Sequence, residues 1–145
     1  MTAEPASDPD PRSLDALFRP RAVAVVGASR EPGSIGHAIV KNLIDSGFTG
    51  PVFPINPKAR SVRGVPCYPT VAEVPGDVDL AVLVVPAPAV VPVLEQCGRK
   101  GVRAAVVISA GFREAGGEGA AREDALRAVA ARYGIRVVGP NCMGV

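Results

Sequence analysis

Five stretches of the chain are apolar without a polar–apolar alternation: AVAVVGA (22–28), PVFPIN (51–56), DLAVLVVP (79–86), RAAVVISA (103–110) and IRVVGPN (135–141). Strands that stay apolar along their length are covered on both faces. Between them the period changes to that of a helix. IGHAIVKNLIDSG (35–47) has apolar residues at 35, 39, 40, 43 and 44. Val90, Val93, Leu94 and Cys97 follow at i, i+3, i+4, i+7. AAREDALRAVAARYG (120–134) lines up Leu126, Val129, Ala130 and Tyr133, with acids near its start and Gly134 placed to cap its end. SLDALFRP predicts a short helix capped by Ser13, with Leu14, Leu17 and Phe18 as its apolar face and Pro20 as its stop. Residues 1–12, with prolines at 5, 9 and 11, read as a disordered N-terminal tail. Residues 13–145 read as one domain.

Strand–helix repetition with doubly covered strands predicts an α/β fold. It is expected to be a Rossmann-like, doubly wound parallel sheet of about five strands with helices on both faces. Right-handed crossovers then gather the loops after Val26, Ile55, Val85, Ile108 and Val138 on one edge, where open α/β sheets bind their ligands.

Composition narrows what such a ligand is. The 145 residues carry 16 basic and 14 acidic side chains, a net charge of +2, which does not suggest a nucleic-acid or membrane-surface binder. Only four Phe and two Tyr are present, too few for a base-stacking platform. The longest apolar run, Leu80 to Leu94, is broken by Pro86, Pro88 and Pro92 and falls short of the ~20 residues of a membrane span. The N-terminus has no apolar core of a signal peptide. Cys67, Cys97 and Cys142 form no C-x-x-C pair and read as reduced thiols of a cytoplasmic protein.

The first edge loop, GASREPGSIG, has the pattern G-x5-G-x2-G, with glycines at 27, 33 and 36. It is about four residues longer than the dinucleotide fingerprint between its first two glycines. No Lys follows Gly33, so it is not a Walker loop. A helix N-terminus with unpaired N–H groups attracts phosphate, glycines admit it close to the backbone, and Ser29 and Ser34 add hydroxyl donors. The second loop, INPKARSVRG, lacks the acid that nicotinamide sites place there for the ribose. Asn56 and Pro57 are followed instead by Lys58, Arg60 and Arg63. A basic loop favours a ligand with an extra phosphate near the ribose, either a 2′-phosphate dinucleotide or coenzyme A. Lys58 is the leading side chain, being nearest the strand end, with Arg60 or Arg63 as its helper. The third loop is the rigid VVPAPAVV. The fourth, ISAGFREAGGEG, is glycine-rich and suits a lid or a docking surface.

Little in the chain can do bond chemistry. His37, the only histidine, lies in the first turn of a helix, where a structural or supporting role is expected. Cys142 is on the ligand edge without a histidine near it in sequence, Cys97 falls on a core face, and no metal constellation is visible. No catalytic residue is assigned.

Taken together, LFRPRAVAVVGASREPGSIG, PINPKARSVRGVPCYPTVAEVP, VDLAVLVVPA, GVRAAVVISAGFRE and YGIRVVGPNCMGV resemble the CoA-binding domain that opens the ADP-forming acyl-CoA synthetases. The resemblance runs from about residue 14 to 145. The same domain type occurs in the succinyl-CoA synthetase alpha subunit and in some bacterial protein acetyltransferases. The resemblance implies coenzyme A or acyl-CoA as ligand. It places the CoA diphosphate on Gly27, Ser29, Arg30, Gly33, Ser34, Ile35 and Gly36, and the CoA phosphates on Lys58 beside Asn56. The rest of the CoA path would follow Val85, Pro86, Ser109, Ala110 and Gly111. It also implies further domains or a partner subunit. The histidine that such synthetases phosphorylate lies beyond GPNCMG, and His37 does not match it. The alternatives are a CoA-binding module of a protein acetyltransferase or a stand-alone acyl-CoA sensor, and an NADP-binding oxidoreductase domain.

Overall fold

The structure is a computed structural model that describes residues 14–140. All five expected strands are present as one parallel sheet: β1 (Val23–Val26), β2 (Val52–Ile55), β5 (Leu80–Leu83), β6 (Ala104–Val107) and β7 (Arg136–Val138). They are ordered β2-β1-β5-β6-β7. Each is shorter than its apolar run, because the residues beyond the ladder turn into the edge loops. The chain leaves β1 toward β2 on one side and returns to β5 on the other. The point where the order reverses therefore lies between β1 and β5, where doubly wound sheets open a crevice.

The double cover is visible in the packing. Residues 24 and 26, 81 and 83, and 105 and 107 face one core with Val90, Leu94 and Cys97 of α3 (Ala87–Lys100) and with Leu126 and Val129 of α4 (Glu118–Tyr133). Their neighbours at 23 and 25, 80 and 82, and 104 and 106 face a second core with Leu17 of α1 (Asp15–Phe18) and Val40 of α2 (Ile35–Asp45). The three central strands are buried throughout, and the edges β2 and β7 are only partly so.

Two helical faces are narrower than their spacing implies. In α1 only Leu17 is buried, while Leu14 and Phe18 are 44% and 61% exposed. The structure gives Leu14 as the N-cap; Ser13, the expected cap, lies outside the described residues, as do the tail 1–12 and Cys142. In α2, Ile35 and Ile44 are exposed at the two ends of a stripe whose centre, Val40, is fully buried. Gly134 caps α4 in the left-handed conformation, as expected from its position.

One element goes unannounced by periodicity. Between β2 and β5 the chain forms a hairpin, β3 (Ser61–Val62) and β4 (Val65–Pro66). Its turn residues Arg63 and Gly64 both have positive φ, the signature of a two-residue hairpin turn of the twisted kind. A bridge between Ile55 and Tyr68 then returns the chain to the end of β2, and a 3-10 turn (Val71–Glu73) follows.

Helices α3 and α4 pack closely because Gly98 faces the Tyr133 ring; a Cβ there would overlap the ring carbons. Gly98→Ala is expected to destabilise the chain by about 1–3 kcal/mol, the usual cost of overpacking. Urea unfolding checks it, with the midpoint lowered and the slope unchanged.

Candidate functional site

The end of β1 and the start of α2 meet without a side chain between them. Gly27 has φ +94°, and a Cβ on it would overlap the Val84 carbonyl oxygen of the neighbouring segment. A Cβ on Gly36 would overlap the carbonyl oxygen of Gly27. Both glycines are required by space. Gly33 is different: its Cβ would meet nothing within 4 Å, so it leaves the outside of the loop open.

The loop between them is closed by its own polar groups. Ser34 Oγ caps α2, accepting from His37 N–H at 3.2 Å, and donates to the Glu31 carbonyl at 2.8 Å. Its hydroxyl proton is therefore committed to the loop, a difference from its expected use as a ligand donor. Ser29 Oγ accepts from Glu31 N–H at 3.0 Å and keeps its own proton to donate. His37 Nδ1 lies 3.0 Å from the Ser29 carbonyl, which supports the structural role expected of it. The N–H groups of Ile35 and Gly36 have no partner among the described residues, as the first turn of a helix requires.

A second tie joins this loop to the one after β2. Asn56 Nδ2 donates to the Ala28 carbonyl at 2.8 Å, and its Oδ1 accepts from Lys58 N–H at 2.8 Å. The carboxamide thus sets the turn that carries Lys58, whose side chain is exposed. Arg63 is elsewhere: its guanidinium pairs with Asp45 at 3.7 Å, at the far end of α2 from the glycine loop. That removes it as a helper of Lys58. Arg60 is exposed.

Together these segments border a cavity of about 480 Å³. Of the residues named from sequence, Gly27, Ser29, Asn56, Lys58 and Val85 line it. Arg30, Gly33, Ser34, Ile35 and Gly36 belong to the same loop and helix start but not to the cavity wall. Pro86 is the N-cap of α3. Ser109 lies beside it through a hydrogen bond from its hydroxyl to the Val85 carbonyl. A Cβ on Gly111 would stand 2.9 Å from that of Ala87, so the 109–111 segment rests on the start of α3. Thr70, Val71, Val93 and Gln96 also line the cavity and escape the strand-end rule. The first pair arrives through the Tyr68 bridge. The second sits at i, i+3 on α3.

Neither cysteine among the described residues, Cys67 or Cys97, has an activated thiol. Burial pushes the Cys97 thiol up to about 12. It also raises Cys67, against the lowering effect of Arg30. Among the described residues no group of His, Cys, Asp and Glu is disposed to hold a metal. No helix among them is long and apolar enough to cross a membrane.

Residues 21–145 match the family model described as a CoA binding domain. The chain belongs to this CoA-binding family. It is 54% identical over 132 residues to the ADP-forming acetate–CoA ligase I of Archaeoglobus fulgidus, covering 91% of this chain and 19% of that one. It is 50% identical over 137 residues to the ADP-forming acetate–CoA ligase I subunit alpha of Pyrococcus furiosus, covering 92% and 30%. Among solved structures, the apo form of the dinucleotide-forming acetyl-coenzyme A synthetase 1 of Ca. Korarchaeum cryptofilum superposes with a TM-score of 0.87 at 48% identity, covering 91% and 28%. The chain thus spans less than a third of these relatives. As a CoA-binding domain it is like the N-terminal part of ADP-forming acyl-CoA synthetases, and the expected sheet and helix cover are those of that family.

The loop after β6 in this CoA-binding domain is held by one carboxylate. Glu114 Oε1 accepts from Phe112 N–H at 3.1 Å and Gly111 N–H at 2.7 Å. These two bonds, that from Phe112 foremost, hold the Glu114 carboxyl below its ordinary value of 4.5. A depressed pKa contributes stability above the ordinary value and loses it as pH falls through the folded one. Amide exchange at Gly111 and Phe112, after correction for intrinsic rates, is therefore expected to show loss of protection as pH is lowered below 4.5. Glu114→Gln should lack this transition.

Proposed function

We propose that the chain binds coenzyme A or an acyl-CoA across the β1–β5 crevice, as the CoA-holding part of an ADP-forming acyl-CoA synthetase. The observation that carries the reading is one cavity bordered by Gly27 and Ser29 of the glycine loop and by Asn56 and Lys58 of the lysine loop, with the N-terminus of α2 at the end of that glycine loop. The CoA diphosphate rests on the N–H groups of Ile35 and Gly36 and the Ser29 hydroxyl, inside the loop that includes Arg30, Gly33 and Ser34. The partial positive charge of the helix end favours it. Lys58, oriented by Asn56, takes the ribose 3′-phosphate. The pantetheine arm leaves past Val85 and Pro86 toward Ser109, Ala110 and Gly111. The acyl-transfer chemistry belongs to further domains or a partner subunit, in keeping with the much greater length of the relatives. The absence of an acid after β2 counts against a nicotinamide dinucleotide.

Calorimetry of the 145-residue chain against CoA, dephospho-CoA, NADP and NAD tests this. CoA should bind tightest; tighter binding of NADP would sink the reading. Lys58→Ala should weaken CoA by about 1–3 kcal/mol, the scale of a charge-assisted hydrogen bond. It should leave dephospho-CoA nearly unchanged. Equal loss for both ligands would move Lys58 to the diphosphate, and no loss for either would remove it from the site.

A further inference from the structure

The cavity has a wall that phosphate does not explain. Away from the glycine loop and Lys58 it is built from Ile55, Val71, Val85, Val93, Pro57 and Pro69. Two polar side chains are set into this apolar surface, Thr70 and Gln96. Gln96 follows Val93 by three residues on α3, so the two share a face of the helix. Thr70 precedes the 3-10 turn, and its hydroxyl does not cap it. Neither side chain has a hydrogen-bond partner among the described residues.

An apolar pocket with a few convergent polar groups is the ordinary form of a site that orients a flat ligand. Both groups are uncharged, so this wall suits the edge of a neutral ring and not an anion. A carboxamide presents one acceptor beside one donor. The complement is a donor beside an acceptor, which the exocyclic amino group and adjacent ring nitrogen of adenine supply. The prolines and valines give the ring its faces. Adenine is the only flat aromatic ring in CoA, and the two polar groups share a cavity with the segment carrying Lys58.

Resting on the CoA reading, we infer that Gln96 and Thr70 are the specificity-determining residues of this site, bonding the edge of the adenine ring and selecting the nucleotide by its base.

The test uses two nucleotides, adenosine 3′,5′-bisphosphate and the matching purine riboside bisphosphate in which hydrogen replaces the amino group. The unmodified chain should bind the adenine nucleotide roughly five- to ten-fold more tightly, the range of a neutral hydrogen bond or two. Gln96→Leu should abolish that preference by weakening the adenine nucleotide alone, and the unchanged affinity of the analogue reports that the fold is intact. Thr70→Val, which keeps the shape, should weaken the adenine nucleotide several-fold and serves as the test if the leucine variant fails to fold. Equal affinity of the unmodified chain for the two nucleotides overturns the inference, as does a preference that survives both substitutions. Failure of the unmodified chain to bind CoA at all overturns the earlier reading instead.

Discussion

The contact on which the site depends is backbone against backbone: the first turn of α2 seated on the carbonyl of Gly27 at the end of β1. Side chains normally hold a helix away from the strand that precedes it. With hydrogen at positions 27 and 36 that spacing collapses, and the helix axis begins at the rim of the sheet. The unpartnered N–H groups of residues 35 and 36 thereby lie close to the end of β1, next to the loop whose Gly27 and Ser29 line the crevice. The intervening residues 28–34 cannot run straight across so short a gap. They bulge, and Ser29, Ser34 and His37 satisfy the bulge internally.

Rigidity spreads from that contact through the sheet. Gly27 N–H donates to the Ile55 carbonyl at 3.2 Å, and Val84 N–H to that of Val26 at 2.8 Å. The ladders on both sides of β1 thus continue into the loops. Asn56 extends the tie from Ala28 to Lys58. An exposed lysine has many rotamers, but its backbone is fixed relative to the helix end. That arrangement sets the separation of the lysine loop from the helix end without burying a charge, whose desolvation would be costly.

How much of this was legible depended on where the information sits. The strands were legible because Val, Ala and Leu run unbroken where both faces are covered, and their ends were overread because apolar residues continue into the turns. That Gly27, Ser29, Asn56, Lys58 and Val85 border one cavity was legible because parallel strands bring their C-terminal loops together. Thr70 and Gln96 were not, since one reaches the cavity through a hairpin whose strands are two residues each and the other through the side of a helix. Periodicity says that Val93 and Gln96 share a face, but not that the crevice lies in front of it. Arg63 was misread for the converse reason. It is close to Lys58 in sequence, but the hairpin turn carries it to Asp45 at the other end of α2.

The two ends of the crevice are held by different forces. At β1 and β2 the loops are continuations of the sheet, and moving them breaks ladder hydrogen bonds. After β6 the segment around Gly111 is held by the exposed Glu114 carboxylate and by Arg122, which donates to the Gly111 carbonyl at 3.1 Å. The Glu114 carboxylate is exposed and the Arg122 guanidinium half-buried, and such side-chain bonds exchange for water more readily than ladder bonds, so that end opens at lower cost than the other. Under the CoA reading, the invariant part of the ligand, its nucleotide, meets the rigid end. The part that differs between one acyl-CoA and the next leads toward the end that yields. A domain that must hold one nucleotide while its thiol is acylated elsewhere is served by that division, and the boundary between the two regimes falls at Val85–Ala87, where Ser109 and Gly111 rest on the start of α3.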